Sequence, residues 1–84
     1  MYFVEMTDTF GGEANYAWVN RFLVKATTFQ GAIRKVTHET GYRARKQADY
    51  GDMAEYRVPG ACIVYFVSWA TGDEATQYSH LKTL

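Results

Sequence analysis

Thr27-Thr-Phe-Gln-Gly-Ala-Ile-Arg-Lys-Val-Thr-His-Glu-Thr-Gly41 is the one stretch of this chain that reads as a long helix. Phe29, Ala32, Ile33 and Val36 fall at i, i+3, i+4 and i+7, which lines up a single apolar stripe. Thr27 and Gln30 have the spacing of a capping box, in which hydroxyl and amide satisfy free N–H groups at a helix start. Gly41 supplies a residue suited to a left-handed C-terminal cap. Arg34, Lys35 and His38 lie toward the end of the helix, where positive charge complements the dipole. Gly31, inside the helix, costs about 1 kcal/mol relative to Ala, which predicts a close neighbour there. An isolated helix this short is marginal in water, so it must rest on a sheet.

The rest of the chain supplies that sheet. Residues 2–7 alternate as a first strand, with Tyr2, Val4 and Met6 on one face. Gly11-Gly12 has turn chemistry. Residues 15–26 form a long second strand whose even positions, Tyr16, Trp18, Asn20, Phe22, Val24 and Ala26, are the more apolar and are assigned to the helix side. Strands one and two pair as a hairpin. Residues 42–50 alternate only partly and carry the charges of an edge strand. Tyr50-Gly-Asp-Met53 reads as a turn, residues 54–58 as a short strand, and Pro59-Gly60 as its stop. Ala61-Cys-Ile-Val-Tyr-Phe-Val-Ser-Trp-Ala70 is apolar on both faces, as befits a central strand. Thr71-Gly-Asp-Glu74 turns the chain, and Tyr78, Leu81 and Leu84 in residues 73–84 are spaced for a short helix or a loose tail. The expected fold is one α+β domain over residues 1–84, in the order β-β-α-β-β-β. It is an antiparallel sheet of four to five strands with one main helix on one face, which leaves the opposite face without a helix.

At 84 residues the chain suffices for one modest core. Nine Lys plus Arg balance nine Asp plus Glu, so no global field draws the molecule to nucleic acid or anionic lipid. No apolar run approaches a membrane span, and no secretion signal is present. The single cysteine, Cys62, precludes an internal disulfide and fits a reducing cytoplasmic compartment. Aromatic residues make up 17%, with seven Tyr, five Phe and two Trp, more than a core of this size needs. Tyr and Trp join large contact area to a polar handle and are enriched at interfaces.

Chemistry-bearing clusters are scarce. Cys62, His38 and His80 lie far apart, without metal-ligand spacing. Cys62 sits in an apolar run, where a thiol acts as a small hydrophobe. Asp49 with Asp52, and Glu5 with Asp8, flank turns, where Asp is common for hydrogen-bonding reasons. No nucleophile elbow, phosphate loop or dinucleotide fingerprint occurs. No catalytic, cofactor-binding or metal-binding residue is expected, and an enzyme using Cys62, His38 or a carboxylate is the disfavoured reading.

Charge is instead segregated locally. Arg34, Lys35, Arg43, Arg45 and Lys46 fall between positions 34 and 46, followed by Asp49, Asp52 and Glu55. Such a stretch suits docking on a complementary protein surface, with Tyr42, Arg43, Arg45, Lys46, Tyr50, Asp52, Glu55 and Tyr56 as the expected partner-binding residues. The alternative is nucleic-acid binding through the basic residues, with Tyr42 stacking on a base.

Phe10-Gly-Gly-Glu-Ala-Asn-Tyr-Ala-Trp-Val19, Gly31-Ala-Ile-Arg-Lys-Val36, Gly51-Asp-Met-Ala-Glu-Tyr56 and Gly60-Ala-Cys-Ile-Val-Tyr-Phe-Val67 together resemble the small accessory proteins of bacteriophage genomes. The resemblance concerns size and style over most of the chain and includes no activity motif. It implies a viral, non-enzymatic inhibitor in the host cytosol that binds a host protein complex, for example a defence system. Trp18 or Trp69 is a candidate anchor, and self-association as a homodimer would cover the sheet face left without a helix.

Overall fold

The computed structural model describes residues 1–8 and 17–84, the side chains of residues 17–19 excepted. The expected Gly11-Gly12 turn, Tyr16 and the Trp18 side chain lie outside the described residues. The elements are β1 (Tyr2–Asp8), β2 (Ala17–Val24), α1 (Phe29–Thr40), β3 (Arg45–Asp49), β4 (Met53–Arg57), β5 (Ile63–Trp69), α2 (Gly72–Gln77) and β6 (Lys82–Thr83). They build an α+β fold with one sheet in the order β3-β4-β5-β1-β2-β6. β5 and β1 are central, as the two apolar faces of β5 require, and charged β3 is an edge.

Several expectations are corrected. The sheet has six strands, and it is mixed, because β6 runs parallel to β2 with Lys82 beside Phe22 and Thr83 beside Leu23. Of the two expectations for the C-terminal segment, the short helix is present as α2, which ends at Gln77, whereas the chain end is tied down: Leu84 donates to Leu23 O (2.7 Å) and accepts from Lys25 N (3.0 Å). Thr71-Gly-Asp-Glu74 opens α2 rather than turning the chain. The Thr71 hydroxyl accepts from Glu74 N and donates to the Glu74 carboxylate, each at 3.2 Å.

α1 packs across β1, β5 and β2. Its buried Ala32, Ile33 and Val36 meet Val4, Met6, Phe22, Val24, Tyr65 and Val67 in one cluster. Phe22 and Val24 thus lie on the helix side, with Ala26 packed alongside, as the even-position reading of β2 requires. The cap sits one residue later than the sequence indicated. Thr28 is the N-cap, and its hydroxyl accepts from Gly31 N at 3.0 Å. That shift also explains the internal glycine, since a Cβ at Gly31 would lie 3.1 Å from the Thr28 hydroxyl oxygen. Gly41 closes the helix at φ 82°, in the left-handed region that glycine enters freely.

Two tyrosines clamp the ends of α1 to the sheet. The Tyr2 phenol, on β1, donates to Thr27 O (3.2 Å) at the helix entry. The Tyr65 phenol, on β5, lies 2.7 Å from the Thr40 hydroxyl and donates to Tyr42 O (3.1 Å) at the exit. Part of the aromatic excess is therefore structural.

The opposite sheet face is not bare. Leu23, Val64 and Thr7, which alternate away from the helix, are buried. The Tyr78 ring stacks on Phe3 (5.0 Å between centroids, 15°), with the Arg21 guanidinium 5.4 Å from the Phe3 centroid and 5.9 Å from that of Tyr78. The C-terminal segment thus covers part of the face through which a homodimer was expected. Among the described residues no helix is long and apolar enough to cross a membrane.

Candidate functional site

The left-handed cap at Gly41 turns the chain back beside its own helix. Arg43 and Ala44 then face α1 across a cleft of about 580 Å³, completed by Gln30, Ile33, Arg34, Thr37 and His38. Gln30, Arg34 and His38 are spaced four apart, which stacks them as one polar ridge along the helix. Ile33 and Ala44 provide the apolar part of the wall. On β3 and β4 a shallower hollow of about 270 Å³ is lined by Arg45, Lys46, Gln47, Arg57 and Pro59. Neither concavity has a carboxylate in its lining.

Few of these cations are neutralised. Among the described residues, the ion pairs are Arg21 with Glu5, Lys46 with Asp49 and Lys82 with Glu39; Arg34, Arg43, Arg45 and Arg57 enter none of them. Arg57 instead donates from Nε to the Gln47 amide oxygen at 2.7 Å. Gln47 is the extra residue of a bulge, since Lys46 opposes Tyr56 and Ala48 opposes Glu55. The same register sets Arg45 directly against Arg57. Like charges facing each other across a ladder destabilise it, so this hairpin retains an arrangement that its own stability does not favour.

Lys46 and Asp49 form a 2.7 Å contact at the exposed edge. The bond to Asp49 raises the Lys46 ammonium above its ordinary range, and the same bond, aided by Gly51 N, holds the Asp49 carboxyl below its own. Burial raises the phenols of Tyr56 and Tyr65, the latter against the opposing effect of its bond to Thr40.

The expected partner-binding residues divide. Tyr42 (43% exposed) and Tyr50 (60% exposed) stand at the two ends of β3, with Arg43, Arg45 and Lys46 exposed between them and Asp52 in the turn beyond. Glu55 is half-buried, within 3.4 Å of the Tyr50 hydroxyl. Tyr56 is 1% exposed; it is a core residue and offers no surface to a partner. Of the basic stretch, Lys35 leaves the group and donates to Lys25 O. His38 and Arg57 join it. His38 was legible as the residue one turn beyond Arg34, whereas Arg57 required the register of the hairpin.

The disfavoured catalytic candidates are dispersed. Cys62 is exposed and precedes β5, which corrects its placement inside an apolar strand. His80 is an exposed residue near Tyr78, with 6.4 Å between ring centroids. Asp49 is engaged by Lys46, and Glu5 lies 3.7 Å from Arg21. Among the described residues no group of three or more His, Cys, Asp and Glu is placed to hold a metal ion. Trp69 is 55% exposed, at the end of β5, and meets Tyr2 edge-on at 5.1 Å.

No protein-family model, curated protein or solved structure matches the chain.

Proposed function

We propose that this chain is a non-enzymatic binding module that docks on a protein complex through the β3–β4 edge, in the manner of the phage accessory proteins its sequence resembles. One observation carries the reading: exposed Tyr42 and Tyr50 bracket an edge strand whose Arg45, in no ion pair among the described residues, is held opposite Arg57 of β4 at a cost to the hairpin. Aromatic and arginine side chains are the usual anchors of protein interfaces, and unmatched positive charge selects an acidic partner surface.

The test is affinity capture from bacterial lysate with the wild-type chain and a Tyr42→Ala/Arg45→Glu variant. A partner retained by the wild type and by Lys25→Ala, but weakened in the edge variant by about 2 kcal/mol, roughly thirty-fold in Kd, is the expected result. Identical captured proteins from wild type and edge variant overturn the reading.

A second reading is favoured by the absence of any carboxylate from either basic concavity. Such linings also suit the phosphates of nucleic acid. That reading requires affinity that falls steeply with salt, and a loss of about one unit of salt slope for each phosphate-contacting cation removed.

A further inference from the structure

The cleft between α1 and residues 43 and 44 is about twice the size of the hollow on the β3–β4 edge. Its volume of about 580 Å³ lies within the span of roughly 300–1,000 Å³ usual for small-molecule sites. Arg34 and His38 reach it from successive turns of the helix, and Arg43 reaches it from the opposite wall. Gln30 and Thr37 add neutral donors, and half-buried Ala44 an apolar surface. An inorganic anion would engage the cations and leave that apolar surface uncovered. A metal cation would meet two guanidinium groups and no carboxylate. The ligand that matches the lining carries a phosphate at one end and a flat, apolar-faced body at the other.

We propose that this cleft binds a nucleoside 5′-phosphate, with Arg34 and Arg43 gripping the phosphate from two sides, His38 donating beside them, and the base lying against Ala44. Arginine forks suit phosphate oxygens because two parallel N–H bonds can form at once. The inference goes beyond the docking surface and shares only Arg43 with it.

The test uses the full chain, 15N-labelled, titrated with AMP, GMP, ADP and ATP, and in parallel with inorganic phosphate and a hexaglutamate peptide. At least one nucleotide is expected to give saturable shifts confined to residues 30–44, while phosphate and the peptide bind more weakly. Arg34→Ala and Arg43→Ala should each weaken that nucleotide about tenfold or more, since a charge-assisted bond is lost in each. Arg34→Lys, which keeps the charge and loses the fork, should fall between them and the wild type and guards against a folding artefact. Arg57→Ala should change nothing. Four results overturn the proposal: no saturable shift at about 5 mM nucleotide, where binding energy falls below about 3 kcal/mol; phosphate binding as tightly as the nucleotides; preference for the peptide; or unchanged affinity in the Arg34→Ala/Arg43→Ala double variant. The Tyr42→Ala/Arg45→Glu variant, in which partner capture is expected to weaken, should leave nucleotide binding intact, so the two readings fail separately.

Discussion

The sheet under α1 and the β3 edge are built to opposite rules. Beneath the helix, Val4, Val24, Val36, Val67, Ala32 and Tyr65 are wholly buried, and the polar groups at both helix ends are tied down by tyrosine hydroxyls. On β3 no residue is buried, one residue is bulged out of register, and Arg45 faces Arg57 of β4. The first concentrates cohesion. The second spends little on cohesion and displays charge and two exposed phenol rings. Stability and recognition are thus placed on different strands of one sheet, so either is open to alteration without the other.

The sharpest way to break this division is paired truncation. Ile33→Ala should cost about 2–5 kcal/mol through lost contacts and the cavity left behind, seen as a lower denaturant midpoint. Arg45→Ala should stay within about 0.5 kcal/mol, and it should not destabilise, because it removes the repulsion with Arg57. A large loss from Arg45→Ala would mean that the edge is part of the cohesive unit.

Tyr65→Phe sharpens the boundary at the helix exit. It keeps the buried ring but deprives Tyr42 O and the Thr40 hydroxyl of a partner, so a cost of about 1–3 kcal/mol is expected. The Tyr56 and Tyr65 phenols, raised above 10.0 by burial, add a pH signature. The folded state keeps protons that the unfolded chain releases, so their contribution is complete below pH 10 and is lost as pH rises through the raised folded values. Denaturant midpoints measured from neutral to strongly alkaline pH should fall in that window, and less steeply in Tyr65→Phe.

Much of the cohesive half was legible because apolar period decides it. The stripe through Phe29, Ala32, Ile33 and Val36 gave the helix, and alternation in residues 61–70 gave a central strand. What escaped depended on single hydrogen bonds or on distant register. Thr27 and Thr28 are adjacent threonines, and only the 3.0 Å bond from Gly31 N to the Thr28 hydroxyl identifies which of them caps. Thr71 and Glu74 carried a capping signature, but the acidic pair Asp73-Glu74 resembled a turn. β6 is two residues long and binds β2 through backbone groups alone, which leaves no side-chain pattern to read. In the display half, the basic run was plain in the sequence. Its division into a helix-side cleft and an edge hollow was not, because Arg57 enters only through its register with Arg45.

The helix cap gives a smaller, local test. Thr28→Ala should cost about 1 kcal/mol, since α1 is part of the cohesive half and its first turn is tied to the sheet through Tyr2. Thr71→Ala removes a similar bond from α2, which buries no residue, and should shift the global denaturant midpoint less.

The smallest expected effect lies at the exposed edge, where Lys46 and Asp49 hold each other at 2.7 Å. The Asp49 carboxyl is lowered first by Lys46 and then by Gly51 N, so Lys46→Met should return it part of the way toward the ordinary 3.8 and leave the Gly51 contribution in place. A carboxyl held low stabilises the fold above its ordinary range, and that contribution is lost as pH falls through the folded value. Carbon-detected titration of Asp49 reads the change directly. On a fully solvated strand the shift in the titration should appear with almost no change in unfolding midpoint at neutral pH, because an exposed pair is screened by water and salt. A titration shift accompanied by a clear loss of stability would place β3 inside the cohesive half, and the contrast between the two regions would fail at its weakest strand.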